Sequence, residues 1–183
     1  AGGPLPIVFT GAMDYWPNID AVTWFVREVM PPLLRLWPNA RFHIVGRNPA
    51  AAVKALASDH VKVTGTVPDV RPYLQHAAVV VAPLRLARGI QNKVLEAMAM
   101  GRPVVASETC AQAIDARAGS ELFTATTPMD FVRQIERLLR DPDKARSVGR
   151  AGRRCVLQRY GWEAHLSRID PRLAAITGVG VPA

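Results

Sequence analysis

Short runs of apolar, often β-branched residues alternate along the chain with longer segments in which apolar residues recur every three or four positions. The short runs predict six strands, at 6–10, 41–45, 61–64, 79–82, 104–107 and 121–125. The run at 79–82 is apolar throughout, which is typical of a strand covered by helices on both faces. The alternation predicts an α/β, Rossmann-like fold of three layers (α/β/α) around a six-stranded, parallel, doubly wound sheet.

The periodic segments predict helices at 18–37, 50–57, 70–75, 90–100, 111–116, 129–139, 142–158 and 162–176. Pro31 and Pro32 predict a kink or a split in the first of these, because proline removes a backbone donor. Asp141 before Pro142 is typical of a helix N-cap followed by the first helical position. We expect one domain over residues 1–176 and a flexible tail over 177–183.

Composition favours a soluble globular protein, since 49% of the 183 residues are hydrophobic and 21% are charged. The two cysteines have neither metal-ligand spacing nor the pattern of a disulfide framework, and the four histidines form no ligand group. We expect no metal and interpret the Asp141-Pro142-Asp143 triplet as a helix cap. No apolar run approaches the length that spans a bilayer, so we expect a cytoplasmic location.

The net charge of +8 is concentrated near the end of the chain. Residues 131–172 contain eleven Lys and Arg against five Asp and Glu, a net of +6. Such a segment can contact an anionic membrane, nucleic acid or an acidic partner, or it can be a solvated helix face. No aromatic interleaving or nucleic-acid motif accompanies the charge, so we do not expect nucleic acid as a partner. Peripheral contact with the inner face of a membrane stays open.

Glycine and polar residues follow the first three predicted strands. Loops after parallel strands meet at one edge of the sheet, where ligands bind in such folds. Gly11 and Gly46 permit close approach of the backbone to a ligand, and Asn18 can cap the first helix. The Arg47 guanidinium can face a phosphate or a base, and the backbone around Val67 can bond a heterocycle.

The segment after the fourth predicted strand carries the most specific pattern. A loop with two arginines and a glycine leads into a predicted helix that contains asparagine, lysine and glutamate. If Gly89 and Ile90 begin that helix, free amides and the positive helix end face a ligand, and Arg88 and Lys93 add charge. This arrangement predicts a cradle for a diphosphate. Glu96 projects on much the same face as Lys93 and can accept hydrogen bonds from a ribose diol.

Six segments occur in an order that resembles one protein family: GAMDYWPN, FHIVG, VKVTGTVPDVRPYL, AAVVVAPL, GIQNKVLEAMAMGRPVVAS and RYGWEAHL. Over residues 7–166 the chain resembles the C-terminal, donor-binding domain of GT-B glycosyltransferases, especially retaining enzymes of family 4 that act in bacterial polysaccharide assembly. The resemblance implies a UDP-sugar or GDP-sugar donor, no metal cofactor, and a glycan or lipid-linked acceptor. It also implies a separate N-terminal acceptor domain, without which this chain alone would be inactive in transfer.

The resemblance assigns roles to individual residues. Glu96 aligns with the second glutamate of the family's E-x7-E signature, which holds the donor ribose, whereas Arg88 stands in place of the first glutamate. The family's Arg and Lys pair is absent from residues 11–18, so Arg47, Arg88 and Lys93 are the candidates to supply charge, with Arg88 and Lys93 as the catalytic pair. Two alternatives remain: a binding or scaffold module whose donor site has decayed, and an NAD enzyme, for which no GxGxxG follows the first strand.

Overall fold

Six parallel strands form a single sheet in the computed structural model, which describes residues 3–161. The strand order is β3-β2-β1-β4-β5-β6, and every pairing is parallel. Their bounds agree with the sequence prediction to within two residues: β1 (Leu5–Thr10), β2 (Ala40–Val45), β3 (Val61–Val63), β4 (Val79–Ala82), β5 (Val104–Ser107) and β6 (Phe123–Ala125). The predicted Rossmann-like α/β fold is confirmed.

The helices cover both faces of this sheet. They are α1 (Trp16–Trp24), α2 (Met30–Leu36), α3 (Ala51–Lys54), α4 (Arg71–Gln75), α5 (Asn92–Ala99), α6 (Glu108–Ala111), α7 (Pro128–Arg140) and α8 (Pro142–Arg159). A π-helical segment (Phe25–Val29) joins α1 to α2. The predicted helix at 162–176 and the predicted tail at 177–183 lie outside the described residues.

A π-helical turn divides the predicted helix at 18–37 into α1 and α2 just before its two prolines. In this turn the Met30 amide donates to the carbonyl of Phe25, five residues earlier. Pro31 and Pro32 have no amide to give to the carbonyls one turn back. A wider turn before the prolines adapts the helix to these missing donors, so the predicted split is confirmed and takes the form of a π-helical turn between α1 and α2.

Local capping decides the bounds of two further helices. The predicted helix at 111–116 is wrong, because α6 runs from Glu108 to Ala111 and its N-cap Ser107 accepts a hydrogen bond from the amide of Cys110 (3.3 Å). The predicted cap at Asp141 is confirmed, since its carboxylate accepts from the amide of Lys144 (2.9 Å). Within residues 3–161, no cluster of three potential metal ligands is found and no helix is long and apolar enough to cross a membrane.

Helix α8 packs through glycines against the rest of the domain. A Cβ on Gly149 would lie 2.1 Å from the carbonyl oxygen of Gly101, just after α5. A Cβ on Gly152 would lie 2.7 Å from the carbonyl oxygen of Glu121 and 3.5 Å from the side chain of Met98. The two glycines are three residues apart and share one helix face. Close backbone packing there fixes α8 against the end of α5.

The strand order reverses direction between β1 and β4. Such a reversal leaves a crevice at the carboxyl ends of the two strands, because the connections from them cross to opposite faces of the sheet. The loops after β1, β2, β3 and β4 all reach this edge, and α5 begins beside it. The fold therefore gathers the glycine-containing loops and the start of α5 into one place.

Candidate functional site

An open cleft of about 780 Å³ lies at this edge of the sheet. Its walls come from the loops after β1, β2, β3 and β4 and from the first two turns of α5. Seven residues that the sequence singled out line it: Gly11, Gly46, Arg47, Val67, Ile90, Lys93 and Glu96. Five further polar residues (Thr10, Asn18, Thr66, Gln91 and Asn92) and three others (Ala12, Tyr15 and Val70) complete the lining. The charged side chains that line the cleft are thus the carboxylate of Glu96 and the two cations of Arg47 and Lys93, beside the backbone of the glycine-containing loops.

Two glycines let the loops after β1 and β2 touch. A Cβ on Gly46 would lie only 1.6 Å from the carbonyl oxygen of Gly11. The loops are also hydrogen-bonded, from the amide of Gly11 to Val45 (3.0 Å) and from the amide of Met13 to Arg47 (2.8 Å). A Cβ on Gly11 would lie 2.8 Å from the Asn18 amide nitrogen and 2.9 Å from Lys93 Nζ. The space beside Gly11 is therefore occupied by these two side chains.

The Lys93 ammonium lies beneath these loops, largely removed from water. Its Nζ donates to Oδ1 of Asn18 (2.5 Å) and sits 4.2 Å from the centroid of the Phe9 ring. Asn18, which is 4% exposed, donates from Nδ2 to the carbonyl of Ala12 (2.9 Å). The amide group of Asn18 is thus oriented by the loop, with its oxygen facing the ammonium.

The surroundings of Lys93 disfavour its charge. Burial lowers the pKa of Lys93 to about 8, while the acidic groups of Cys110 and Glu96 act in the opposite direction. Within residues 3–161, no carboxylate lies within salt-bridge distance of Lys93 Nζ. The groups in direct contact with this ammonium are neutral, and Glu96 offsets only part of the cost of its burial.

Helix α5 begins two residues later than predicted. Gln91 is the N-cap with an extended backbone (φ −91°, ψ 102°), and its side chain turns back to the carbonyl of Arg88 (3.2 Å) instead of capping the helix. The amides at the helix start are therefore those of Asn92 and Lys93, since the first amides of a helix have no intrahelical partner. Gly89 has φ +65°, a left-handed conformation that glycine adopts without strain.

Arg88 and Gly89 are the two predicted site residues that do not line the cleft. Both are exposed on the loop between β4 and α5, whereas Ile90, one residue further, belongs to the lining. The neighbouring Arg85 forms an ion pair with Asp20 of α1. Glu96 is exposed at the cleft, and its carboxylate has no hydrogen-bond partner within the described part of the chain.

The prediction that Asn18 caps the first helix was wrong. Helix α1 already begins at Trp16, with Tyr15 as N-cap, and Asn18 lies within its first turn. There it binds Lys93, which is 75 residues away in sequence. No local pattern marks this pairing, so sequence reasoning missed Asn18 as the partner of Lys93.

Comparison with known proteins identifies the family. Residues 5–141 match the model of the family described as Glycosyl transferases group 1. No curated protein is significantly similar to the chain. Similar solved structures include Anabaena Alr3699/HepE in complex with UDP and glucose, with a TM-score of 0.75 and 18% identity over 94% of this chain and 48% of that one.

Two further structures support the same fold. Sucrose-phosphate synthase from Thermosynechococcus elongatus has a TM-score of 0.72 and 22% identity, covering 95% of this chain and 46% of that one. The C-terminal domain of the group 1 glycosyl transferase LpcC from Francisella tularensis has a TM-score of 0.65 and 16% identity, covering 87% and 88%. The chain spans between 35% and 48% of the first three similar structures. Its fold is that of the C-terminal half of a GT-B glycosyltransferase, and the chain belongs to the glycosyl transferases of group 1.

Proposed function

We propose that this chain is the donor-binding half of a retaining glycosyltransferase that takes a sugar from a UDP-sugar or GDP-sugar. The acceptor would be a glycan or a lipid-linked glycan in bacterial polysaccharide synthesis. Membership in the group 1 family supports the transferase class. The retaining reaction and the bacterial role rest on the motif resemblance to family 4. The main support for donor binding is the Lys93 ammonium, which lines the cleft, is largely buried and has no carboxylate within salt-bridge distance in residues 3–161.

A buried ammonium with neutral partners is costly, and an anion is what relieves that cost. The pKa of Lys93 is lowered from 10.5 to about 8, so burial works against the charged form. A diphosphate placed in the cleft would restore the missing counter-charge and raise this pKa again. Since the amides of Asn92 and Lys93 lie at the positive end of α5, they would add hydrogen-bond donors to the same anion.

The remaining lining residues fit the other parts of a nucleotide sugar. Glu96 follows Lys93 by one helical turn and offers two acceptor oxygens to a ribose diol. Val67 and Val70 form an apolar wall on the side of β3, suited to the face of a base. Arg47, exposed at the cleft, can contact a phosphate or the base. We further propose that Arg88, on the loop before Ile90, contacts the transferred sugar, because it stands where the family signature has the glutamate that usually makes this contact.

In the proposed reaction, the bond between the anomeric carbon and the diphosphate breaks, that carbon bonds to the acceptor oxygen, and the acceptor's hydroxyl proton passes to the leaving diphosphate. Negative charge develops on the leaving diphosphate, and a cation already fixed in place stabilises it without reorganisation. Asn18 fixes Lys93 in this way through its 2.5 Å hydrogen bond. Since the chain spans less than half of the first similar structures, we propose that the acceptor site belongs to a second domain and that the chain alone binds donor without transferring sugar.

Titration with UDP and GDP, followed by calorimetry and by thermal shift, tests donor binding. Lys93→Met should weaken the affinity on the order of 30-fold or more, because it removes the only buried cation facing the diphosphate within residues 3–161. Glu96→Gln should weaken it less. Lys54→Met is the matched control, since Lys54 is exposed on α3 and does not line the cleft.

The pH dependence adds a second readout. Affinity of the unmodified chain should fall about tenfold per pH unit above about 8, as Lys93 loses its proton, whereas Lys93→Met should lack this dependence. If neither nucleotide binds at millimolar concentration, the donor-binding proposal fails. A scaffold module with a decayed site, the reading that Arg88 in place of a glutamate permits, would then be preferred.

A further inference from the structure

A second groove lies at the opposite edge of the sheet from the cleft. Its floor is at the amino ends of the strands, where Leu5 begins β1 and Pro103 precedes β5. The end of α7 and the start of α8 form its outer wall. The groove has a volume of about 470 Å³. It shares no lining residue with the cleft, so an inference drawn from it goes beyond donor binding.

The groove has apolar walls and arginines at its rim, and we refer to it as the arginine groove. Leu5, Leu139 and Pro142 supply apolar surface, and Arg102, Arg146 and Arg150 supply the charge. Leu5 and Leu139 are half-buried, whereas Pro142 and Arg150 are exposed. A surface with both characters fits a ligand that is itself amphipathic.

The charges of the arginine groove are incompletely satisfied. Nε of Arg102 is buried and has no hydrogen-bond partner within the described residues. A buried donor without an acceptor is uncommon and costly in folded proteins. Neither Arg102 nor Arg150 forms an ion pair within residues 3–161, while Arg146 bonds Asp143 (2.5 Å), which is exposed. Two guanidinium groups are thus available to an anion.

The positive charge extends beyond the arginine groove. Residues 128–159, which include α7 and α8, contain nine Lys and Arg against four Asp and Glu, a net of +5. A small soluble anion would need only the two unpaired guanidinium groups. An apolar wall with arginines at its rim, beside a segment of net positive charge, matches an extended anionic surface with an apolar interior, such as a bilayer.

We propose that the arginine groove binds the phosphate headgroup of an anionic phospholipid and so holds this face of the domain against a membrane. The Arg102 and Arg150 guanidinium groups would bond the phosphate oxygens, because a guanidinium matches phosphate geometry. The neighbouring leucines would lie against the first carbons of the acyl chains. The site carries no chemistry; its role is localisation.

Vesicle co-sedimentation with the full 183-residue chain tests the proposal. Vesicles of phosphatidylcholine alone are compared with vesicles that contain about one-third phosphatidylglycerol. We expect binding to the anionic vesicles only, and weakening by roughly 30-fold in the double variant Arg102→Gln/Arg150→Gln, at about fivefold per arginine near an anionic surface. Because Arg150 is exposed, the single variant Arg150→Glu gives a second test that does not alter packing.

The control double variant Arg35→Gln/Arg71→Gln removes the same charge from two exposed arginines, on α2 and α4, that lie outside the groove lining and outside residues 128–159. It should weaken vesicle binding by less than about threefold. Equal loss in both double variants would mean diffuse attraction and would overturn the proposal. The proposal would also be overturned if the chain did not bind the anionic vesicles or bound neutral vesicles equally well. It would likewise be overturned if millimolar inorganic phosphate abolished the effect of the groove variants, because the site would then be one for a soluble anion.

Discussion

Replacing Lys93 with methionine removes a largely buried charge and keeps an unbranched side chain of similar length. The pKa of Lys93 is lowered from 10.5 to about 8, a difference of about 2.5 pH units. At about 1.4 kcal/mol per unit, the buried charge costs the folded state about 3 kcal/mol at neutral pH. The same residue that we propose for donor binding thus lowers the stability of the empty domain.

The variant also loses two favourable contacts. The hydrogen bond to Asn18 disappears and leaves a buried amide oxygen without its partner, at a cost of about 1–2 kcal/mol. The contact with the Phe9 ring changes from a cation to a thioether, which also packs well against aromatic rings. We therefore expect Lys93→Met to raise the free energy of unfolding at pH 7 by about 1–2 kcal/mol, or roughly 2–8 °C in melting temperature.

The pH dependence of the unfolding free energy separates the effect of the Lys93 charge from the effect of these two contacts. Below about pH 8 Lys93 is protonated in both the folded and the unfolded chain, so the whole penalty is present. Between about 8 and 10.5 the unfolded chain binds the proton and the folded chain does not, so stability rises with pH. Above about pH 10.5, Lys93 is neutral in both states and the cost of burying its charge disappears. The advantage of Lys93→Met should therefore shrink with rising pH and, because of the lost hydrogen bond, become a disadvantage near pH 10.

Urea unfolding of the unmodified chain and of Lys93→Met, under reducing conditions at several values between pH 7 and pH 10, measures this difference directly. Subtracting the two curves cancels the titration of tyrosines, cysteines and other lysines. Lys54→Met, on the surface of α3, should show no such pH-dependent difference. A stability difference between Lys93→Met and the unmodified chain that stays constant across this range would refute the reasoning, because it would mean that Lys93 is solvated in the folded protein.

Two further variants test the architecture around the site and away from it. Gly46→Ala should separate the loops after β1 and β2, because its Cβ would meet the Gly11 carbonyl oxygen at 1.6 Å. We expect the free energy of unfolding to fall by about 2–3 kcal/mol in chemical unfolding, and UDP binding to weaken. Unchanged stability would contradict the loop contact. Thr127→Ala removes half of the capping box of α7, in which Thr127 and Asp130 bond each other's amides. It should cost about 1 kcal/mol in the same unfolding assay and leave nucleotide affinity unchanged, since α7 does not line the cleft.

The strands were predictable because burial on both faces of a parallel sheet requires continuous apolar runs, and β4 is such a run. The position of the cleft was predictable for the same reason, since the carboxyl ends of parallel strands meet at one edge. Helix starts were less predictable where the deciding contact is not the obvious cap. Ser107, the last residue of β5, caps α6, and Gln91 turns away from the helix that it precedes.

Asn18 shows why the rest could not be inferred from local sequence. An asparagine after a glycine loop and before a periodic segment has the pattern of a cap. In the folded chain it is drawn instead to Lys93, because a buried ammonium needs an acceptor and the loop holds the Asn18 amide in place. A pairing across 75 residues depends on the sheet that brings β1 and β4 together, and no residue near Asn18 in sequence encodes it.

The glycine face of α8 has a practical consequence for choosing where to truncate this polypeptide. The family match ends at residue 141, yet α8 starts one residue later and rests backbone to backbone on Gly101 and Glu121. Truncation at residue 141 would expose Met98, which is fully buried and packs beneath Gly152. Loss of the burial of this side chain would lower the free energy of unfolding by about 2 kcal/mol. Expression designs for crystallisation or calorimetry should therefore retain the chain through at least Arg159.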